Sequence, residues 1–349
     1  MITAYKSKGS INFNIKVVGI GGAGGNIVQK IYLSGLPCET IILNTDAQAL
    51  SKQRATHLIP IGKSFTRGGG AGADPAIGRK AAEESLYEIH NRLQDTDLLI
   101  IVAGLGNGTG TGASPVVAKF AMERNILTVG VFTLPFNFEG KRELSLRAIS
   151  EMEKYLNTIV VIDNNMISEV ASMDSSVSEA YALVDLVVKN CVESIISIVQ
   201  EFSEVNVDFN DLKATISRGG LGYFAKGVAE TSGDVQKAID SVLFNPLLAG
   251  VSINDVKGAL VYIKTNGDLK MTSFNEIMEN LRKHLPDKTG LKYGLQKEGD
   301  KSVKAYAEIY FIGTTGKKTT SSIIESITSK PKDLINLDLP PGVRKHKKE

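Results

Sequence analysis

Apolar residues in this chain fall into short runs, separated by stretches whose apolar positions recur every three or four residues. Between residues 15 and about 160 the two patterns alternate. IKVVGI (15–20), TIILN (40–44), DLLIIVA (97–103) and ILTVGVFTL (126–134) are short and rich in branched side chains, as strands buried on both faces are. Helical spacing follows each run. One helix is expected from about Asn26. A second is AIGRKAAEESLYEIHNRL (76–93), with Asp74 as cap and Pro75 at its first position. A third is VVAKFAMER, with Ser114 and Pro115 as its cap and first turn. Alternation of this kind predicts an α/β chain with a doubly wound, mostly parallel sheet.

Residues 177–202 then read as one long helix, with Ala180, Tyr181, Val184, Val188, Cys191, Ile195 and Ile198 on one face. Beyond it the order changes to a helix near 226–240, a strand GALVYIKT (258–265), a helix SFNEIMENLRKHL (273–285) and strands near 290–297 and 304–313. This second, smaller unit has the pattern of an α+β domain. Residues 1–203 therefore form the expected first domain with the long central helix, 204–316 the second, and 317–349 a Ser/Thr/Lys-rich basic tail.

Composition narrows the function classes. A formal charge of +2 gives no global signal for nucleic acid. Four scattered histidines have no metal-ligand spacing, and the distant Cys38 and Cys191 suit buried thiols of a reducing cytosol better than a disulfide. No apolar stretch is long enough to span a bilayer, so a cytoplasmic protein without direct membrane insertion is expected.

The chemistry concentrates in glycine. From Gly104 to Gly112 every second residue is glycine, with Thr109 and Thr111 interleaved, directly after an apolar run and before a helix. Free N–H groups and the helix dipole make that junction an anion site, and glycine lets the backbone approach a phosphate. A tight turn needs far fewer glycines. GIGGAGGN (19–26) places Gly19, Gly21 and Gly24 in G-x-G-x-x-G spacing, with Asp46 a strand later; alone this would suggest NAD and an oxidoreductase. A third run, TRGGGAGADP (66–75), precedes another helix. Three such loops suit a polyphosphate held from several sides. HLIPIGKS (57–64) has His57 where a Walker A motif needs its first glycine, so Lys63 reads as a solvated loop residue. NVDFNDLK (206–213) offers Asn206, Asp208 and Asp211, able either to polarise water or to cap the next helix.

Together these segments resemble the tubulin/FtsZ superfamily, and the FtsZ branch of cell-division proteins more closely than tubulin. Gly106 to Gly112 (GNGTGTG) resembles the superfamily signature GGGTGTG. IKVVGIGGAGGN, NTDAQAL, TRGGGAGADPAIGRKAAEES, PFNFEGKRE and NVDFNDLK are similar to FtsZ segments in FtsZ order, over about residues 12–314. The resemblance implies a GTPase that polymerises head to tail, binding GTP or GDP with Mg2+ accompanying GTP.

Residue by residue, it implies phosphate contacts from Gly21, Gly22, Ala23, Gly24, Gly25 and Asn26. Gly106, Gly108, Thr109, Gly110, Thr111 and Gly112 would add more. Ala71 and Gly72 would approach the γ-phosphate, Glu139 the ribose and Asp185 the guanine base. Arg142 and Glu143 fall near the nucleotide, and Asn206, Asp208 and Asp211 would enter the next subunit's site. Three features depart from the family. Asn107 replaces a signature glycine, Glu143 stands at the place of an arginine with Arg142 one residue early, and the long linker before the C-terminal peptide is missing. LDLPPGVRK (337–345) resembles that peptide, which docks membrane-anchor and regulatory proteins, but Pro341 and Gly342 replace its small-then-aromatic pair. Two rivals stay open: an NAD-binding oxidoreductase, and a paralogue that polymerises but hydrolyses GTP weakly.

Overall fold

The computed structural model describes residues 13–167, 176–200, 209–244, 248–267, 269–297, 305–316 and 320–328. Asn206, Asp208 and residues 329–349, with the resembling C-terminal peptide, lie outside them.

Six parallel strands form the first sheet: β1 (Ile15–Ile20), β2 (Glu39–Asn44), β3 (His57–Pro60), β4 (Leu98–Gly104), β5 (Leu127–Leu134) and β6 (Thr158–Asp163). Their order is β3-β2-β1-β4-β5-β6, so the chain reverses direction between β1 and β4. Val17, Ile100 and Val129 face one apolar layer, and Val18, Ile101 and Phe132 the other. That two-sided burial explains why these strands read as continuous apolar runs. α1 (Gly21–Leu33) covers the first face, together with the long α8 (Val177–Gln200). The second face carries α4 (Pro75–Glu84), α5 (Leu86–Leu93), α6 (Gly108–Glu123) and α7 (Arg142–Met152). The short α2 (Ala47–Ser51) and α3 (Lys63–Thr66) lie in the connections.

The second unit holds α9 (Phe209–Ile216), β7 (Gly222–Ala229), α10 (Val235–Leu243), β8 (Gly258–Thr265), α11 (Met271–His284), β9 (Gly290–Lys297) and β10 (Ala307–Thr314), followed by α12 (Thr320–Thr328). Its sheet runs β7-β10-β8-β9, with β8 and β9 parallel and the other pairs antiparallel. Val188, Val192 and Ile195 of α8 share one apolar cluster with Phe224 and Phe311 of this sheet and with Ile100 and Val129 of the first. The long helix is thus the common core of both units.

Four expectations change. α1 begins at Gly21 instead of near Asn26, and α6 at Gly108, which puts Ser114 and Pro115 inside the helix. Ser114 Oγ donates to Gly110 O at 2.6 Å instead of capping. The helix expected over 76–93 breaks at Ser85, whose Oγ accepts from Gly62 N at 3.1 Å. Residues 226–229 belong to strand β7, because pairing with β10 along its full length outweighs local helical spacing. α10 starts only at Val235.

Candidate functional site

β1 and β4 are neighbours, and at their C-terminal ends the chain turns almost directly into α1 and α6. The two turns interlock through bare backbone. A Cβ on Gly21 (φ +74°) would lie 3.0 Å from Gly110 N, and one on Gly110 would lie 2.5 Å from Gly104 O. Gly24 packs as closely, its would-be Cβ 2.3 Å from Val102 O. Gly22, Ala23 and Asn26 stay exposed beside them.

No side chain caps either first turn. Ile20 has no acceptor to offer, and Asn107 directs its Oδ1 to Lys141 Nζ, 2.5 Å away. Two sets of unpaired N–H groups and two positive dipole ends therefore meet at one edge, a place suited to an extended anion. The third glycine run joins them differently. Asp74 caps α4, accepting from Ala76 N at 2.8 Å, so one of that helix end's free amides is already taken. What the run contributes is close packing: a Cβ on Gly108 would lie 2.7 Å from Ala71 Cβ and 2.9 Å from Asp74 N and O, while Thr45, just after β2, bonds Thr109 Oγ1 through its Oγ1 at 2.7 Å. Gly72 lies next to Ala71 with nothing within 4 Å of its would-be Cβ. Thr111 accepts from Gly106 N at 2.8 Å, and Gly112 fits against Pro75 O. Asp46, a candidate ribose ligand in the NAD alternative, is engaged as the cap of α2, accepting from Ala49 N at 2.8 Å.

At the adjoining ends of β5 and β6 the lining is polar. Glu139 Oε1 accepts from Phe136 N at 3.0 Å. The Phe136 ring meets Tyr181 of α8 edge-on, with ring centres 5.5 Å apart. Burial and the Glu139 charge push the Tyr181 hydroxyl above its ordinary range. One turn further along α8, Asp185 bonds Lys30 of α1 at 2.5 Å. Arg142 turns to Asp163 at 2.8 Å, and Glu143 pairs with Arg147 out in solvent, its side chain 79% exposed. The sequence pattern does not single out Asn164. It is buried at the end of β6, and its Oδ1 has no hydrogen-bond partner among the described residues. The signal was an Asn-Asn pair right after an apolar run, at the strand end where β1 and β4 carry glycine.

Asp211 lies elsewhere. It sits in the first turn of α9 and pairs with Lys292 of β9. α9 is held at the start of β6, where Thr158 Oγ1 donates to Ile216 O at 2.7 Å. The glycine loops are at the opposite ends of the strands. A six-residue strand separates the two edges by about 20 Å. A cleft of about 710 Å3 opens at this lower edge, lined by Asp97, Tyr155, Asn157, Phe209 and Lys213. It is remote from the glycine loops and is not part of their site.

Residues 14–172 match the family model "Tubulin/FtsZ family, GTPase domain". The cell division protein FtsZ of Aquifex aeolicus (strain VF5) is 38% identical over 80% of this chain and 77% of its own. That of Buchnera aphidicola subsp. Baizongia pistaciae (strain Bp) is 36% identical over 93% of this chain and 86% of its own. The chain belongs to the tubulin/FtsZ family. Among solved structures, an empty FtsZ dimer from M. jannaschii superimposes with TM-score 0.81 at 32% identity, covering 94% of this chain and 95% of that one. CetZ1 from Haloferax volcanii shares the fold, with TM-score 0.73 at 20% identity. The matched GTPase domain takes in the glycine-lined edge; the tubulin/FtsZ family binds GTP and GDP, which sets the oxidoreductase alternative aside. Among the described residues no helix is long and apolar enough to cross a membrane.

Proposed function

We propose that this GTPase is a division-ring protein that assembles head to tail and hydrolyses GTP where subunits meet. The observation that carries the proposal is the opposed placement of the glycine loops and Asp211, about 20 Å apart across the sheet. No bend of a folded subunit brings them together. Stacking one copy on another does, and such a heterologous contact does not close, so it propagates into a filament.

In this reading residues 1–203 bind the nucleotide, 204–316 carry the catalytic loop, and 317–349 form the tail. Gly21 to Asn26 and Gly106 to Gly112 hold the phosphates, with Ala71 and Gly72 beside them. Glu139 reaches the ribose, Asp185 reads guanine, and Arg142 and Glu143 flank the site. Asn206, Asp208 and Asp211 come from the neighbouring subunit to orient water. Mg2+ accompanies the bound triphosphate. The tail docks a membrane-anchor or regulatory protein and holds filaments at the division site. The outward turn of Glu143 favours a second reading, a paralogue that assembles but turns over slowly.

The test is turnover against protein concentration, for the wild type and Asp211→Asn. Specific activity should rise with assembly. The variant should bind GTP and assemble while losing about 10²-fold or more in turnover, the scale of a lost water-positioning group. Its pair with Lys292 is partly exposed, so stability should change little. Full activity in dilute monomer refutes the shared site.

A further inference from the structure

Asn107 poses a physical problem. Asparagine is among the best helix N-caps, because its Oδ1 accepts from the N–H groups of the first turn. An Asn at the N-cap of α6 should close the very amides that the phosphate loop needs open. In this chain it does not cap: the Asn107 side chain bonds none of the first-turn amides of α6. Its Oδ1 accepts instead from Lys141 Nζ at 2.5 Å.

Lys141 is fixed for this task. Its carbonyl accepts from Ser145 N at 3.1 Å and from Ser145 Oγ at 3.0 Å, which anchors its backbone at the start of α7. Its stem lies on the signature loop, with the would-be Cβ of Gly106 (φ +107°) 3.1 Å from Lys141 Cβ. The ammonium thus stands beside the open N-terminus of α6. The two neighbouring charged residues are committed elsewhere, Arg142 to Asp163 and Glu143 to Arg147.

We infer that Lys141 is a positioning and charge-supplying residue of the nucleotide site: it draws Asn107 off the α6 amides and sets a cation beside the bound phosphates. Two departures from the family pattern then explain each other. The side chain at 107 is tolerated because Lys141 occupies it, and a cation is present although position 143 is acidic. The inference rests on the proposed placement of the phosphates at the α1 and α6 N-termini.

The test is a double-mutant cycle on the full chain, reading GDP affinity by equilibrium binding at concentrations below assembly. Lys141→Met keeps the stem and removes the charge. It should weaken GDP about tenfold or more, since Asn107 is then free to cap. Asn107→Gly in that background removes the competing cap and should recover at least threefold. Affinity should also fall less steeply with salt in Lys141→Met than in the wild type. Thermal melts of the apo proteins check folding, and Lys141→Arg serves as a second variant that keeps the cation and should hold affinity within about threefold. Wild-type affinity in Lys141→Met, or no recovery on adding Asn107→Gly, overturns the inference while leaving the site in place. If Gly22→Ala and Gly108→Ala also bind GDP as the wild type does, the fault lies with the placement of the phosphates.

Discussion

Two glycines of the glycine-rich turns separate packing from binding. At Gly112 a Cβ would fall 2.0 Å from Pro75 O and 2.7 Å from Arg79 N, both backbone atoms of α4. Backbone cannot swing aside, so Gly112→Ala must part α4 from α6 by about 1 Å or more. Overpacking of that kind costs about 1–3 kcal/mol. At about 2–4 °C per kcal/mol for a domain of this size, melting should drop by several degrees. Gly22, at the second position of α1, has nothing within 4 Å of its would-be Cβ. Alanine there should leave stability equal or raise it by up to about 1 kcal/mol, through helix propensity and a stiffer unfolded chain. In the proposed placement of the phosphates, its methyl group would stand where one approaches the backbone, and GDP affinity should fall by an order of magnitude or more. The assay is a thermal melt of each apo variant by circular dichroism, followed by titration with GDP. A Gly22→Ala protein that melts well below the wild type, or that binds GDP unimpaired, refutes the reasoning. So does a Gly112→Ala protein of wild-type stability.

Asp185→Asn should weaken GTP binding about tenfold and narrow its preference over ITP, because a carboxylate accepts from both guanine N1–H and the exocyclic amine. Equal GTP and ATP affinity in the wild type would show that Asp185 serves only its pair with Lys30. Glu193 of α8 is held below the usual carboxylate range: burial opposes its ionisation, but Lys226, Lys189 and Lys264 outweigh it. A depressed folded-state value stabilises the protein above the ordinary carboxylate range, and that stability is lost as pH falls through the folded-state value. Glu193→Gln should therefore cost about 1–3 kcal/mol at neutral pH, and the deficit should shrink on acidification in urea titrations across pH; a pH-independent deficit would assign the loss to packing. Burial pushes both the Cys38 and Cys191 thiols up to about 12; the enclosed Cys191 should not alkylate at pH 8 until the protein unfolds, and the half-buried Cys38 should react only slowly. Rapid labelling of Cys191 in the native protein would contradict its burial.

The sequence alone determined whatever depends on neighbours along the chain. β1, β4 and β5 are legible because two-sided burial favours apolar residues at most positions, with Lys16, Thr128 and Thr133 as the buried polar exceptions. The Asp74 cap and the anion-binding chemistry of the glycine runs are legible because N-caps and bare backbone are local devices. Tertiary structure decided the rest. Glycine costs about 1 kcal/mol relative to alanine inside a helix, so the runs at 21–25 and 108–112 read as loops. They are helix because the close approach of Gly24 to Val102 and of Gly112 to Pro75 outweighs that cost. Residues 226–229 show helical spacing locally, yet β10 supplies ladder partners from more than 75 residues away, Tyr310 opposite Lys226. Asn164 lies in no motif, and Lys141 sits within PFNFEGKRE without being singled out there; each gains meaning only from the tertiary structure, through a buried Oδ1 without a partner among the described residues in one case and the Oδ1 of Asn107 in the other. Pairing across a sheet is set by strand order, not by distance along the chain. For that reason no spacing in the sequence could reveal that Asp211 and the glycine loops stand at opposite edges of the same sheet.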